Sequence, residues 1–383
     1  MHFLVFRSKA SYPERPGSGA SGGVPIERES GDITVSLWRP GMPSYAGTNY
    51  IVDLMSNANK PKKNHHYVPV TYLKAFRADD GMVSVYRKDA PERPYRQIPE
   101  EVGFRRYYYA QPLEGGGRDT NRLEDQFSKL ETKWPAIVQQ MSRAAPVNDK
   151  LEDIFSFIAL QRARVPAARD AAERMLAAFV TAETRQLQAA GKLPPPPKGF
   201  ENILDHAVVS IDPHQSIHAM VDIIRAMGEV FNRIGLSVLR NLTDVEFVTS
   251  DNPVLYFDPA KSSDDMLPYT LQESGNVVLM MPVSPALMIF GTSWDKSRFA
   301  SEGLGYGDLD DVAKVKQMNE TVIRFSYAAI FARSRPDLES IRKHAHLSPV
   351  LKAERVTRDG KHGIWLNNVF GAREPKPKWK DRV

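Results

Sequence analysis

Cysteine is absent from all 383 residues. That excludes disulfides, thiolate metal sites and cysteine nucleophiles, and it fits a reducing, cytoplasmic setting. No run of about 18 uncharged apolar residues occurs, the length a bilayer-crossing helix needs, so no membrane partner is expected. The start, MHFLVFRSKA, puts its apolar patch before its basic residues, the reverse of a secretory signal. Nucleotide-binding glycine motifs are missing: neither a Walker nor a GxGxxG element occurs, and GGGR at 115–118 follows no clear strand. No HExxH occurs, and there is no zinc signature. His214 and His218 stand at i, i+4 but lack the glutamate and a third ligand.

Apolar residues make up 42% of the chain, ample for a packed core, and the net charge is +5 with a pI near 9.1. The excess is local. Residues 1–54 carry five basic and five acidic groups, 334–383 carry twelve and six, and 55–333 carry 34 and 35. A neutral body argues against a dedicated nucleic-acid reader, which needs a basic face. The basic C-terminal tail, AREPKPKWKDRV, is suited to weak, non-specific nucleic-acid contact.

Residues 1–54 are rich in Gly, Pro and Ser and lack sustained periodicity, so they bury too little apolar surface to offset their ordering entropy. They are expected to be either a disordered leader or a gene-model extension, with Met55 as the alternative start. Pro69 opens a short helix through VTYLKAF, and MVSVYRK at 82–88 alternates as a strand. GFRRYYYAQP at 103–112 is a short strand or a loop. Residues 119–144 read as one helix, with Leu123, Phe127, Leu130, Trp134 and Val138 on one face and Asp119 or Thr120 as cap. Residues 149–191 read as a long helix that Pro166 kinks or divides, and 214–234 as a third. Four short apolar segments between 234 and 293 read as strands. Residues 308–333 read as a closing helix. Strands at both ends of a helical middle predict an α+β fold, a single domain with a small antiparallel or mixed sheet and loose tails.

The segments HHYVPVTYLKAF, LEDQFSKLE, FIALQRARVPAAR, FVTSDNPV, MMPVSPALMIF and VKQMNETVIRFSYAAIFAR stand in this order along the chain. Together they resemble the bacterial domain-of-unknown-function family numbered 4238, over roughly residues 63–335. The resemblance implies a bacterial origin and a single domain and supplies no mechanism. It leaves the leader and a basic extension, 336–383, outside. Val70 stands where the resemblance leads one to expect a polar residue such as Gln, so no side-chain role is assigned there.

Polar residues on apolar stripes are the informative ones. Gln161 and Arg162 follow Ile158 on the apolar face of the second helix, and Arg169 lies seven after Arg162. An Arg buried there needs a carboxylate or an anionic ligand. Glu124 and Glu131, also seven apart, could pair with Arg162 and Arg169 across antiparallel helices; otherwise the two guanidiniums line a pocket for phosphate or carboxylate. Asn319 interrupts the face made by Val315, Val322 and Ile323, either as a core Asn bonded to backbone or as an orienting site residue. Asp251 and Asn252 end the strand EFVTSDNPV, where they either fold onto the following backbone as an Asx-turn or face a crevice, with Asp251 as a general base or a Mg²⁺ ligand. His66 stands ahead of a helix N-terminus, whose dipole favours neutral imidazole, the form of a base or a metal ligand. Adjacent extended residues face opposite ways, so one of His65 and His66 should be inside.

Two functions follow. In one, His66, Asp251 and Asn252 are catalytic, Gln161, Arg162, Arg169 and Asn319 bind substrate, and the chain is a hydrolase or transferase for a phosphorylated or otherwise anionic small molecule. In the other, it is a non-enzymatic binding or regulatory protein of the defence-accessory type, and the same residues form a buried structural network.

Overall fold

The runs near 280 and 288 have no polar face to turn to water, so as strands they need cover on both sides. In the computed structural model they lie inside a five-stranded sheet. The structure describes residues 61–375 apart from 197, 201–203, 205–206, 272–274 and 359–360. The leader over 1–54, the start at Met55 and tail residues 376–383 lie outside the described residues.

The chain enters through strand β1 (Asn64–His66), helix α1 (Val70–Leu73) and a 3-10 turn, Lys74–Phe76. Strands β2 (Val83–Arg87), β3 (Tyr95–Gln97), β4 (Phe104–Arg106), β5 (Gln111–Pro112) and β6 (Arg118–Asp119) follow. The helical middle holds α2 (Arg122–Glu131), α3 (Trp134–Ser142), α4 (Leu151–Arg164), α5 (Pro166–Ala189) and α6 (Pro213–Phe231). Then come β7 (Gly235–Asn241), β8 (Thr249–Ser250), β9 (Leu255–Phe257), β10 (Val278–Ser284), β11 (Leu287–Thr292), α7 (Lys296–Glu302), β12 (Gly305–Leu309), α8 (Val312–Phe325), β13 (Ala329–Ala332), α9 (Leu338–Lys343), β14 (Ser348–Arg358) and β15 (Lys361–Gly371).

The larger sheet runs β12-β7-β11-β10-β9 and the smaller β3-β2-β13-β8; β14 and β15 form a hairpin. Only β12 on β7 is parallel within these sheets. The architecture is α+β, as the sequence predicts. Along β10 the period of two sends Leu279, Met281 and Val283 into one apolar cluster and Val278 and Met280 into the other. The first cluster takes in α1, α3 and α4, where Trp134 stacks on Phe157 with centroids 3.8 Å apart. The second is closed by α8, through Val315, Val322 and Ile323.

Three expectations change. The helix over 119–144 is two helices, because Pro135 cannot continue a hydrogen-bonded ladder and instead starts α3. The closing helix ends at Phe325, and AIFA pairs with β2 and β8 as the inner strand β13. Residues after 336 carry α9 and the hairpin, which packs against α5 within the same compact unit as the rest of the described chain. Division at Pro166 is as predicted: Val165 is extended (φ −75°, ψ 155°) and α5 starts afresh.

The two sheets are tied at α1. The Tyr72 hydroxyl, fully buried, bonds Thr249 Oγ1 on β8 at 2.6 Å and donates to the Pro282 carbonyl on β10 at 2.5 Å. Tyr72→Phe keeps the ring and strands both partners, a cost of about 1–3 kcal/mol. A urea titration should show the midpoint falling with the m-value unchanged.

Candidate functional site

A helix leaves its last four carbonyls without intrahelical partners. For α8 each is answered. Ser326 N–H donates to Val322 at 2.9 Å, and Ser326 Oγ to Ile323 at 2.6 Å. Lys88 Nζ donates to Arg324 at 3.3 Å, and Asn252 Nδ2 to Phe325 at 2.7 Å. The turn beyond is held as firmly. Asp251 accepts from the amides of Tyr327 at 2.8 Å and Ala328 at 2.7 Å. Lys88 donates to the Ser326 and Leu347 carbonyls, and Ser348 Oγ to that of Tyr327. Burial pushes the Asp251 carboxyl up, against these amides and the Lys88 charge. Burial pushes the Lys88 ammonium down to about 7, while Asp251 pulls it back up. Thus Asp251 and Asn252 are the cap of a helix end and its turn. Asn319 is likewise committed to backbone, accepting from Val248 N–H at 3.0 Å and donating to the Glu246 carbonyl at 2.8 Å.

In HHYVP the inside residue is His65. Its Nδ1 accepts from Tyr109 N–H at 2.7 Å, so Nε2 carries the proton and faces the Lys62 carbonyl at 3.2 Å. His66 is half-buried and donates Nε2–H to the Glu100 carbonyl at 3.0 Å. Its pKa is lowered as expected, but burial is the first cause, opposed by the Glu100 hydrogen bond and aided by the Arg164 charge; α1 has only four residues and a correspondingly small dipole. Gly103, at φ 67°, turns the chain so that its carbonyl takes the amides of Tyr67 and Val68.

Within QRARVPAAR, Gln161 donates to the Tyr67 carbonyl at 2.9 Å. The break at Val165 resets the helical phase, so Arg162 and Arg169 do not project together. Arg162 lies over the Tyr269 ring, Cζ 3.5 Å from its centroid. Arg169 donates to Ser216 Oγ at 3.0 Å and to the Tyr108 and Pro213 carbonyls, with Cζ 4.0 Å from the Tyr108 centroid. The expected pairs with Glu124 and Glu131 are replaced by one: Arg164, not singled out from the sequence, holds Glu131 and the His66 carbonyl and covers Phe127.

The seven sequence candidates therefore do not share one hollow. Arg169 alone among them lines the large cavity, about 1030 Å³, between β4, α5, the segment before α6, the start of β14 and residues 371–375. Its inner wall carries Arg105, Tyr108, Asp170 and Tyr327. The Tyr327 hydroxyl donates to Asp170 Oδ2 at 2.6 Å, and burial, then the Asp170 charge, raises its pKa. Arg105 Cζ lies 5.3 Å from the Tyr108 centroid and 6.0 Å from that of Tyr67. Partial burial of the guanidinium end of this otherwise exposed residue opposes its charge; Tyr108 and Asp170 restore it, leaving the pKa raised. Tyr107 at the rim has φ 54°, a left-handed conformation costing an aromatic residue about 1 kcal/mol or more. The signal for this wall was the basic–aromatic run RRYYY, which carries no helical or strand periodicity to mark it. Among the described residues no group of three or more His, Asp or Glu side chains could hold a metal ion, and no helix is long and apolar enough to cross a membrane.

This is an α+β protein with a large mixed cavity beside a buried polar network. The chain belongs to the family described as protein of unknown function DUF4238, whose model matches residues 64–336. No curated protein and no solved structure matches it.

Removing Asp251 leaves two amides unpaired and Lys88 without its counter-charge. Asp251→Ala should cost roughly 2–5 kcal/mol in chemical denaturation, since each buried amide left without an acceptor costs about 1–3 kcal/mol. Near-normal stability would show that the cap is dispensable.

His65 predicts a pH dependence. Its Nδ1 accepts a hydrogen bond, and burial lowers its pKa from 6.5. The unfolded chain then binds the proton that the native state refuses, so stability falls as pH drops below about 6.5. In His65→Leu the melting temperature at neutral pH should be lower and its decline between about pH 6.5 and 5 shallower. An unchanged slope would remove His65 from the account.

Proposed function

We propose that this protein binds an anionic small molecule in the cavity, with Arg105 as the anchor, and that the network around Asp251, Asn252 and Lys88 is structural. One observation carries the reading. The Arg105 guanidinium is set over two aromatic rings at a cavity wall, with no hydrogen-bonded acceptor among the described residues. A guanidinium so pre-oriented presents its planar fork to a carboxylate or phosphate at little entropic cost.

A hydrolase or transferase would need His66 or Asp251 as a base facing the substrate. The engagement of His66 with Glu100, and of both Asp251 oxygens with backbone amides, favours binding over that chemistry. The basic tail adds, on charge alone, weak and salt-sensitive attraction to nucleic acid.

The test uses inorganic phosphate and acetate against chloride at constant ionic strength, read as a shift in melting temperature. Arg105→Gln, an exposed site, should melt near wild type and lose most of the protection. Equal protection of variant and wild type would refute Arg105 as the anchor.

A further inference from the structure

Resting on that reading of Arg105, we propose that the ligand is an oligophosphate-type anion carrying several negative charges, and that Lys352 on the C-terminal hairpin is its second anchor. Three features of the cavity lead there.

The first is which wall charges are already engaged. The lining carries six Arg and Lys side chains against four Asp and Glu. Each carboxylate accepts from a donor of the protein: Asp170 from the Tyr327 hydroxyl, Glu173 from Ser216 Oγ, Asp212 from the His214 amide and Glu374 from Arg174. Arg169 is used by two carbonyls and a hydroxyl, and Arg118 is not free either. Arg105, Arg106 and Lys352 have neither a hydrogen-bonded acceptor nor an ion pair among the described residues. A ligand with one negative group would answer one of these three cations, whereas a chain of phosphates answers all of them.

The second is how two guanidiniums reach one cavity. Adjacent residues of an extended strand face opposite ways, so Arg105 and Arg106 would part company if β4 ran on. The strand ends at Arg106, and Tyr107 takes its left-handed φ of 54°. Arg106 Cζ lies 5.7 Å from the Tyr107 centroid, and both side chains border the cavity. The strained turn thus has a use in bringing a second cation to the space that Arg105 faces.

The third is Lys352. It stands two residues after Val350 on β14 and so on the same face. Val350 packs with Ala167, Ala168 and Tyr327, and Lys352 lines the cavity. Arg105 lies within the segment that the family model matches, 64–336, and Lys352 lies beyond it. The hairpin therefore adds to the cavity a cation from a separate element. An ammonium on a four-carbon stem meets a phosphate as a mobile point charge, beside the fixed fork of Arg105. At about 1030 Å³ the space lies at the upper end of small-molecule sites, more than one phosphate fills.

The experiment titrates the full chain by calorimetry in metal-free buffer at constant ionic strength, with phosphate, pyrophosphate, tripolyphosphate and ATP. The variants are Arg105→Gln, Lys352→Gln and Lys316→Gln. All three sites are exposed, and Lys316, on α8 and outside the cavity lining, controls for the loss of one charge. Affinity should rise from phosphate to pyrophosphate to tripolyphosphate. Lys352→Gln should weaken tripolyphosphate about tenfold or more, the scale of one hydrogen bond to a charged group, and leave phosphate nearly unchanged. Arg105→Gln should weaken every anion, and Lys316→Gln none. ATP tighter than tripolyphosphate identifies the source as a nucleotide; the reverse order identifies a free phosphate chain. If phosphate binds in an Arg105-dependent way as tightly as tripolyphosphate, the anchor stands and the oligoanion falls. If Lys316→Gln costs as much as Lys352→Gln, the binding is bulk charge attraction and the proposal is overturned. If no anion responds to Arg105, both readings fail together.

Discussion

Capture of the C-terminal end of α8 is the constraint on which the rest of the structure leans. A helix end driven into a protein interior carries orphan carbonyls and a partial negative charge. Here Lys88 and Asn252 answer the carbonyls, while Asp251 answers the amides of the turn that follows. The three arrive from two strands of the smaller sheet, so the cap also fixes where β13 leaves the turn and joins β2 and β8. Tyr327 lies inside that turn. Its backbone is held by Asp251 and Ser348, and its hydroxyl reaches the cavity wall at Asp170. The motif that looked most like chemistry thus acts one step away from the cavity, by placing a residue that borders it.

The arginines of the helix–proline–helix segment show how charge is buried without a matching set of carboxylates. Among the described residues, Arg164 alone of the three has an ion-pair partner, Glu131. Arg162 and Arg169 instead lie against phenol rings, at 3.5 and 4.0 Å from the centroids. A guanidinium is weakly hydrated and planar, so a ring face and a few carbonyls offset much of its desolvation. The segment ties α4 and α5 to the β1 carbonyl, to the Tyr108 loop and to the start of α6, three places with no sequence proximity.

What was legible in the sequence follows from this physics. Helices with a strong apolar stripe and strands bounded by turn residues stood out, and so did the break at Pro166. Asp251, Asn252, Asn319, Gln161, Arg162 and Arg169 were correctly singled out as polar groups in apolar surroundings, because burial of polarity leaves a mark on a periodic pattern. The mark does not say what satisfies the group. Backbone acceptors such as the Phe325 carbonyl are the same at every position, so a cap and an active site read alike. Lys88 escaped notice since it ends a strand one residue past the alternation, and Arg164 because it lies off the stripe that holds Arg162. The hairpin from 348 was lost for another reason: its partners are α5 and each other, a long-range pairing that charge counting along the chain cannot reveal.

Arg105 was the hardest to see, and its placement explains why. It lies between a half-buried Phe104 and an exposed Arg106 in a three-residue strand and reads as an ordinary surface cation. Its setting comes from β1, whose His65 is its register partner. His65 in turn accepts from the amide of Tyr109, next to the ring that Arg105 covers. One neutral imidazole therefore fixes both the strand beneath Arg105 and the loop carrying Tyr108. Taking a proton at Nδ1 would convert that acceptor into a donor facing another donor, and the loss would fall first on the segment that shapes the cavity. The histidine that the sequence marks out bears on the cavity through this backbone bond, without its ring lining it.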